Sequence, residues 1–337
     1  MDSGGAKLWD DMLEEFRALG GTAENVCLKD GRYGRGLFPI DPAKPVDIHI
    51  PESLLLESKH VTVENGSFCV GAGATIGVRE KSFLENYERE FSWGVASHET
   101  EGLLRMFHAA PAELSELLKS PFNLDLWLQE PTTEAIVERY FASRIIRYKD
   151  KTVVMPIVEL ANHGLESQYK TGGGVGVGIG GRFENEVLVS YSGGDPLLIF
   201  RNWGFASRVQ GIGLSLSLAF NEQKLRIGRS EPKPADGRNS LVPEVGTEDG
   251  MTVLSHILLG NKRNPRVPRG IFYRVCREAG IRDAAELFDR IQHINRTQYL
   301  RLAELSETAS PRLGRLLRNL AYAQLEVLSF SFGVREL

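Results

Sequence analysis

Apolar and polar positions follow two regimes along the chain. Leu8, Met12, Phe16 and Leu19 recur at helical spacing, and Gly20-Gly21 supplies the stop, so the pattern predicts an N-terminal helix. The stretch "CLKDGRYGRGLFPIDPAKPVDIHIPESLLL" then alternates short apolar pieces with Gly and Pro turns, which predicts strands. Segments 80–91, 99–118 and 132–142 read as helices; within the first, Phe83, Tyr87 and Phe91 stand four apart. "KTVVMPIVELANHG" is a β-branched strand stopped at Pro156 and followed by a helical turn. "ENEVLVSYSGGD" reads as a strand and turn, and Asp195-Pro196 forms an N-cap and first-turn pair for a short helix. Beyond about residue 220, "VGTEDGMTVLSHILLG", "PRGIFYRVCREAG" and the two segments after them all carry helical periodicity. The polar, Pro- and Gly-rich segment 228–246 separates the regimes, so the expectation is an α+β chain of two lobes, 1–227 and an all-helical 247–337 joined by a linker.

Composition narrows the function classes. With 337 residues, 42% hydrophobic and 25% charged, the chain resembles a soluble globular protein. No apolar run approaches the ~18 residues of a membrane span, and no signal peptide is visible at the N-terminus, so no membrane association and a cytoplasmic location are expected. Cys27, Cys69 and Cys276 are scattered, which predicts neither a disulfide framework nor a metal cage. The net charge of −4 argues against nucleic acid as a partner. It is unevenly spread, with fourteen Lys and Arg against eight Asp and Glu from Asn261 to Leu337. That excess suits either an acidic partner surface or a solvated helical face.

The tract from Thr171 to Gly181 holds seven glycines. A Walker loop needs Gly-Lys-Ser/Thr at its end, and a dinucleotide fingerprint needs a helix after its glycines. This tract offers neither, and glycine at every second position reads as a strand with one bare face. The plainer residues nearby carry little alone. An isolated Asn-His is more often a turn, and an isolated Tyr at a strand end is more often core.

Taken in order, however, four pieces resemble SET-domain protein methyltransferases, in particular the group of the Rubisco large-subunit lysine methyltransferase. The pieces are Gly34-Arg35-Gly36-Leu37-Phe38, Ser143-Arg144-Ile145-Ile146, Pro156-Ile157-Val158-Glu159-Leu160-Ala161-Asn162-His163, and Val189-Ser190-Tyr191-Ser192-Gly193 running on to Asn202-Trp203-Gly204-Phe205. The resemblance implies a SET-domain fold of small β-sheets with a helical insertion at about 60–142, plus a helical lobe that docks a protein substrate. It implies S-adenosylmethionine as cofactor and methyl transfer to a lysine or histidine nitrogen. Tyr33, Gly34, Arg35, Arg144, Asn162, His163 and Tyr191 would contact the cofactor. Arg144 suits a bidentate pair with its carboxylate. Tyr191 would be the catalytic residue, orienting the acceptor nitrogen. Trp203 and Phe205 would line the substrate channel. Two departures stand out: Trp203 replaces a second Tyr, and indole has no acceptor lone pair; Ser192 precedes Gly193 where Gly usually follows Tyr directly. The alternative is a SET-fold binding module without activity.

Overall fold

A computed structural model describes residues 3–171, 175–230, 234–235, 238–239 and 241–332. Its helices are α1 (Ser3–Ala18), α2 (Val78–Phe91), α3 (Trp93–His108), α4 (Ala112–Lys119), α5 (Thr133–Arg144), α6 (Pro196–Trp203), α7 (Val267–Glu278), α8 (Ala284–Leu305) and α9 (Pro311–Ser329). Short strands fill much of the remainder, so the chain is α+β. By compactness it divides into two units: Met1–Gly102 with Thr132–Tyr191, and Leu103–Pro131 with Ser192–Leu337.

The first unit is built around a three-stranded antiparallel sheet with Val46–Pro51 at its centre, Thr22–Glu24 on one side and Gly176–Gly181 on the other. The glycine tract is a strand over Gly176–Gly181, and the composition of that stretch has a steric cause. Val177 and Ile179 are fully buried. On the opposite face a Cβ at Gly176 would meet the Ile50 carbonyl at 1.9 Å, and one at Gly178 the Ile48 carbonyl at 2.6 Å. Only glycine permits that approach. Around this sheet lie the hairpin Val26–Gly31/Gly34–Pro39, the hairpin Val61–Glu64/Ser67–Val70, and a sheet ordered Leu56–Glu57, Lys151–Val154, Ile145–Tyr148. The helical stretch expected from residue 60 thus begins only at Val78.

One apolar core joins these pieces. From α1 it takes Trp9, Met12, Leu13 and Phe16, while Leu8 is 40% exposed. The expected helical face is rotated by about one residue, because Trp9 and Leu13 carry more apolar area than Leu8 and Leu19. On α2 the four-residue spacing does what the sequence suggested. Phe83, Tyr87 and Phe91 form a stacked ladder with ring centroids 6.2 Å apart at each step.

In the second unit, strands Leu218–Phe220, Leu225–Ile227, Met251–Leu254 and Val245–Glu248 form one sheet in that order. Ile212–Leu214 pairs with Leu258–Asn261. The helical reading of 245–260 is therefore wrong. Asp249-Gly250, both at positive φ, form a tight turn, and the residues on either side pair as a hairpin. A short amphipathic run cannot by its periodicity exclude a strand.

This unit is pinned by one carboxylate. Asp195 caps α6 through Leu198 N–H at 3.0 Å and accepts Leu214 N–H at 3.0 Å. It also takes Gln324 Nε2 of α9 at 2.8 Å, and Arg229 Nη2 donates to both its oxygens at 2.6 Å. Both side chains are essentially sealed, at 0% and 1% exposure. Arg229 opens the 228–246 segment suggested as a linker, and it is buried in this unit. Removing one member of a buried pair leaves the other charge unpaired, at about 3–5 kcal/mol. Asp195→Ala is therefore expected to lower unfolding free energy by about that amount in urea titrations. A loss below about 1 kcal/mol would contradict the role given to Asp195.

Candidate active site

The hairpin Val26–Gly31/Gly34–Pro39 turns through Arg32-Tyr33, with Gly31 opposite Gly34. Gly34 has φ +95°, a conformation that glycine adopts without strain. Tyr33 sits at this tip, 52% exposed, with the Arg32 guanidinium 5.5 Å from its ring. Behind the tip, the backbone meets two polar side chains. A Cβ at Gly36 would stand 2.4 Å from Glu186 Oε1 and 2.5 Å from Asn162 Nδ2. The Asn162 amide donates to Arg35 O at 3.3 Å and to Glu186 Oε1 at 2.5 Å. Val187 N–H donates to Leu37 O at 2.8 Å. Three segments distant in sequence are thus joined at Gly36.

Asn162–His163 forms a short parallel pair with Leu188–Val189. This brings Tyr191 back over the motif. Its backbone N–H lies 3.3 Å from His163 Nδ1. Burial lowers the His163 pKa, so the ring is neutral at neutral pH. The Tyr191 hydroxyl donates to Ala161 O at 2.7 Å, and the two rings lie 5.1 Å apart. Burial raises the Tyr191 pKa, with Arg144 opposing and Glu159 and Glu186 adding to the rise, so the phenol stays protonated. Its proton is committed to a carbonyl, and its oxygen keeps lone pairs that can accept.

The turn that leads into this motif is strained. Ile157 has φ +67° and ψ −62°, with Val158 N–H bonded to Pro156 O at 2.8 Å. This is the rare γ-turn, and in a β-branched residue it costs on the order of 1–3 kcal/mol. Buried polar contacts two residues further on hold the strained turn in place. Glu159, with 1% of its side chain exposed, accepts from Arg144 Nη1 at 3.0 Å and from the Tyr87 hydroxyl at 2.8 Å. Arg144 also lies 5.4 Å from the Tyr140 ring and keeps 23% of its side chain exposed. Next to this pair lies a second buried carboxyl, Glu88. It takes Tyr140 OH at 2.5 Å and Trp93 N–H at 3.2 Å, and Ser92 Oγ lies 2.6 Å from the same phenol. Burial, reinforced by the Glu159 charge, pushes the Glu88 pKa up to about 8. Glu88 therefore holds a proton at neutral pH.

The structure brings together Arg35, Asn162, His163 and Tyr191, leaves Tyr33 and Gly34 at the exposed hairpin tip, and puts Tyr191 in the electrostatic field of Arg144. Arg144 already has an internal anion, which the sequence reading did not provide. Trp203 closes α6 in the second unit, followed by Gly204 at φ +74° and Phe205. Sequence reasoning missed Glu186, Glu88 and Tyr87 as polar members. Glu186 comes after the glycine strand with no motif around it, and Tyr87 reads as one of three aromatics on a helix. Glu159 was visible within the Pro156–His163 motif but had no role.

No protein-family model matches the chain, and no curated protein matches it. Among solved structures it is similar to the SET domain of LSMT bound to lysine and AdoHcy, at 12% identity and a TM-score of 0.45, over 98% of this chain and 90% of that one. That likeness is distant, and the functional reading rests on this chain's own residues.

The buried network makes two outcomes measurable. Arg144→Ala is expected to cost about 3–5 kcal/mol in urea unfolding, because Glu159 loses its countercharge; a change under about 1 kcal/mol would show the pair to be dispensable. Glu88 binds its proton in the folded state up to about pH 8, whereas the unfolded chain releases it near the ordinary value of 4.5. The folded state thus holds more protons across that window, and stability falls as pH rises through it. Glu88→Gln should remove this slope and be more stable than the wild type above pH 8. An unchanged slope in denaturant titrations at pH 5.5, 7 and 8.5 would exclude Glu88 as its source.

Proposed function

We propose that this chain is a SET-type protein methyltransferase, using S-adenosylmethionine to methylate a lysine or histidine side-chain nitrogen of a protein. One observation carries the reading. Arg35, more than a hundred residues earlier in the chain, and Tyr191, from motif pieces whose order resembles that family, meet around Ala161-Asn162-His163. The fit of the cofactor is supported by the polar groups Arg35 O, Asn162 and Glu186, which the fold brings side by side at the hairpin. When bound, the cofactor would supply an electrophilic methyl on a sulfonium; the nitrogen–carbon bond forms as the carbon–sulfur bond breaks.

The protein needs no nucleophile of its own for this. Its contribution is alignment, and holding reacting atoms about 3 Å apart in line recovers several kcal/mol of the barrier. Tyr191 suits that task, because its hydroxyl is fixed by Ala161 O and its oxygen accepts from an acceptor N–H. The Arg144 face that Glu159 leaves uncovered suits the cofactor's carboxylate. Neutral His163 holds the chain turn at Tyr191.

We assign protein docking to the C-terminal helices as part of the same proposal. Arg274 and Arg277 on α7 are exposed, and no ion pair involving them occurs among the described residues. An acidic partner segment fits that face. The organisation that goes with this reading is a SET domain over 1–227 and a docking lobe from residue 247.

Tyr191→Phe deletes one hydroxyl and little volume. Transfer of label from S-adenosylmethionine to lysate protein is expected to fall by a factor of a hundred or more, with S-adenosylhomocysteine affinity held within about threefold. Equal turnover in mutant and wild type would assign Tyr191 to packing and remove the catalytic role.

A further inference from the structure

We infer that Glu186 is the counter-ion for a ligand ammonium at this site, which on the methyltransferase reading is the α-ammonium of S-adenosylmethionine. Glu186 is 9% exposed, and the one hydrogen-bond partner of its carboxylate among the described residues is neutral: Oε1 takes the Asn162 amide at 2.5 Å. No Lys, Arg or His forms an ion pair with it among the described residues. A buried carboxylate without a cation is costly, and chains rarely keep one without a function. Its second oxygen accepts no hydrogen bond from the described residues.

The surroundings concentrate negative potential. The Asn162 amide is shared with the Arg35 carbonyl, so a backbone acceptor lies beside the carboxylate. Gly36 and Gly31 face the two carboxylate oxygens without side chains. A Cβ there would stand 2.4 Å from Oε1 and 3.3 Å from Oε2 respectively. Burial raises the Glu186 pKa, with the Asn162 bond opposing, as expected of an anion awaiting a countercharge. Adenine and ribose bring no charge to satisfy it. The amino-acid end of the cofactor does, and its own carboxylate finds the guanidinium of Arg144 instead.

Calorimetry on the full chain separates the possibilities, using S-adenosylhomocysteine and 5′-methylthioadenosine, which lacks the amino-acid arm. Glu186→Gln is expected to weaken S-adenosylhomocysteine binding about tenfold or more and to leave 5′-methylthioadenosine within about twofold. Equal losses for both ligands, or none for either, would overturn the assignment. A wild-type chain that binds neither compound would instead overturn the methyltransferase reading, and this inference with it. If Glu186→Gln melts early, Glu186→Asp carries the same comparison, because it keeps the charge and withdraws it by one methylene. A selective loss for S-adenosylhomocysteine supports the ammonium contact, and a non-selective or absent loss contradicts it.

Discussion

Arg144 and Glu159 lie at the two ends of a strand pair, one at the end of α5 and the other in the turn after Lys151–Val154. Their ion pair closes that excursion and fixes the turn from which Ala161, Asn162 and His163 emerge. Desolvating two charges is unfavourable, and the pair persists because Tyr87 OH and the Tyr140 ring complete it. A single guanidinium cannot neutralise two carboxylates in the same apolar surroundings. Glu88 therefore keeps its proton and serves as a neutral hydrogen-bonding group between Tyr140 and the start of α3. The strained γ-turn at Ile157 is tolerated on the same account, because the residues after it are held on several sides.

Close backbone approach is the second constraint. At Gly176 and Gly178 the neighbouring strand's carbonyls occupy the space a side chain would need. At Gly36 the occupants are Asn162 and Glu186. The first case is structural and lets Val177 and Ile179 reach the core. The second packs two polar side chains against a hairpin. The two sets of glycines differ in what lies opposite them, a distinction that sequence spacing does not contain.

Much of the frame was legible before the structure. The ladder Phe83–Tyr87–Phe91, the Asp195-Pro196 helix start and the short strands around Cys27–Phe38 each come from local chemistry, and local chemistry is what a sequence displays. The face of α1 and the strands at 245–261 were misread, since both depend on which neighbour an apolar stripe meets. In the candidate site, Asn162, His163 and Tyr191 were singled out by their order, and the fold brings them together. Glu186 and Glu88 were not, because a carboxylate's burial is decided by residues far away in the chain. Asp195 was seen as a helix cap, while its ion pair with Arg229 was hidden for the same reason.

The central claim is that the hairpin, the Asn162–His163 strand and Tyr191 form one cofactor site. Hydrogen exchange with and without S-adenosylhomocysteine tests it most directly, since a ligand that binds the folded state protects the amides it covers. The account predicts added protection in peptides spanning 31–37, 161–164 and 186–191, with little change in α8 and α9. Protection confined to the C-terminal helices, or none at a saturating ligand concentration, would contradict it.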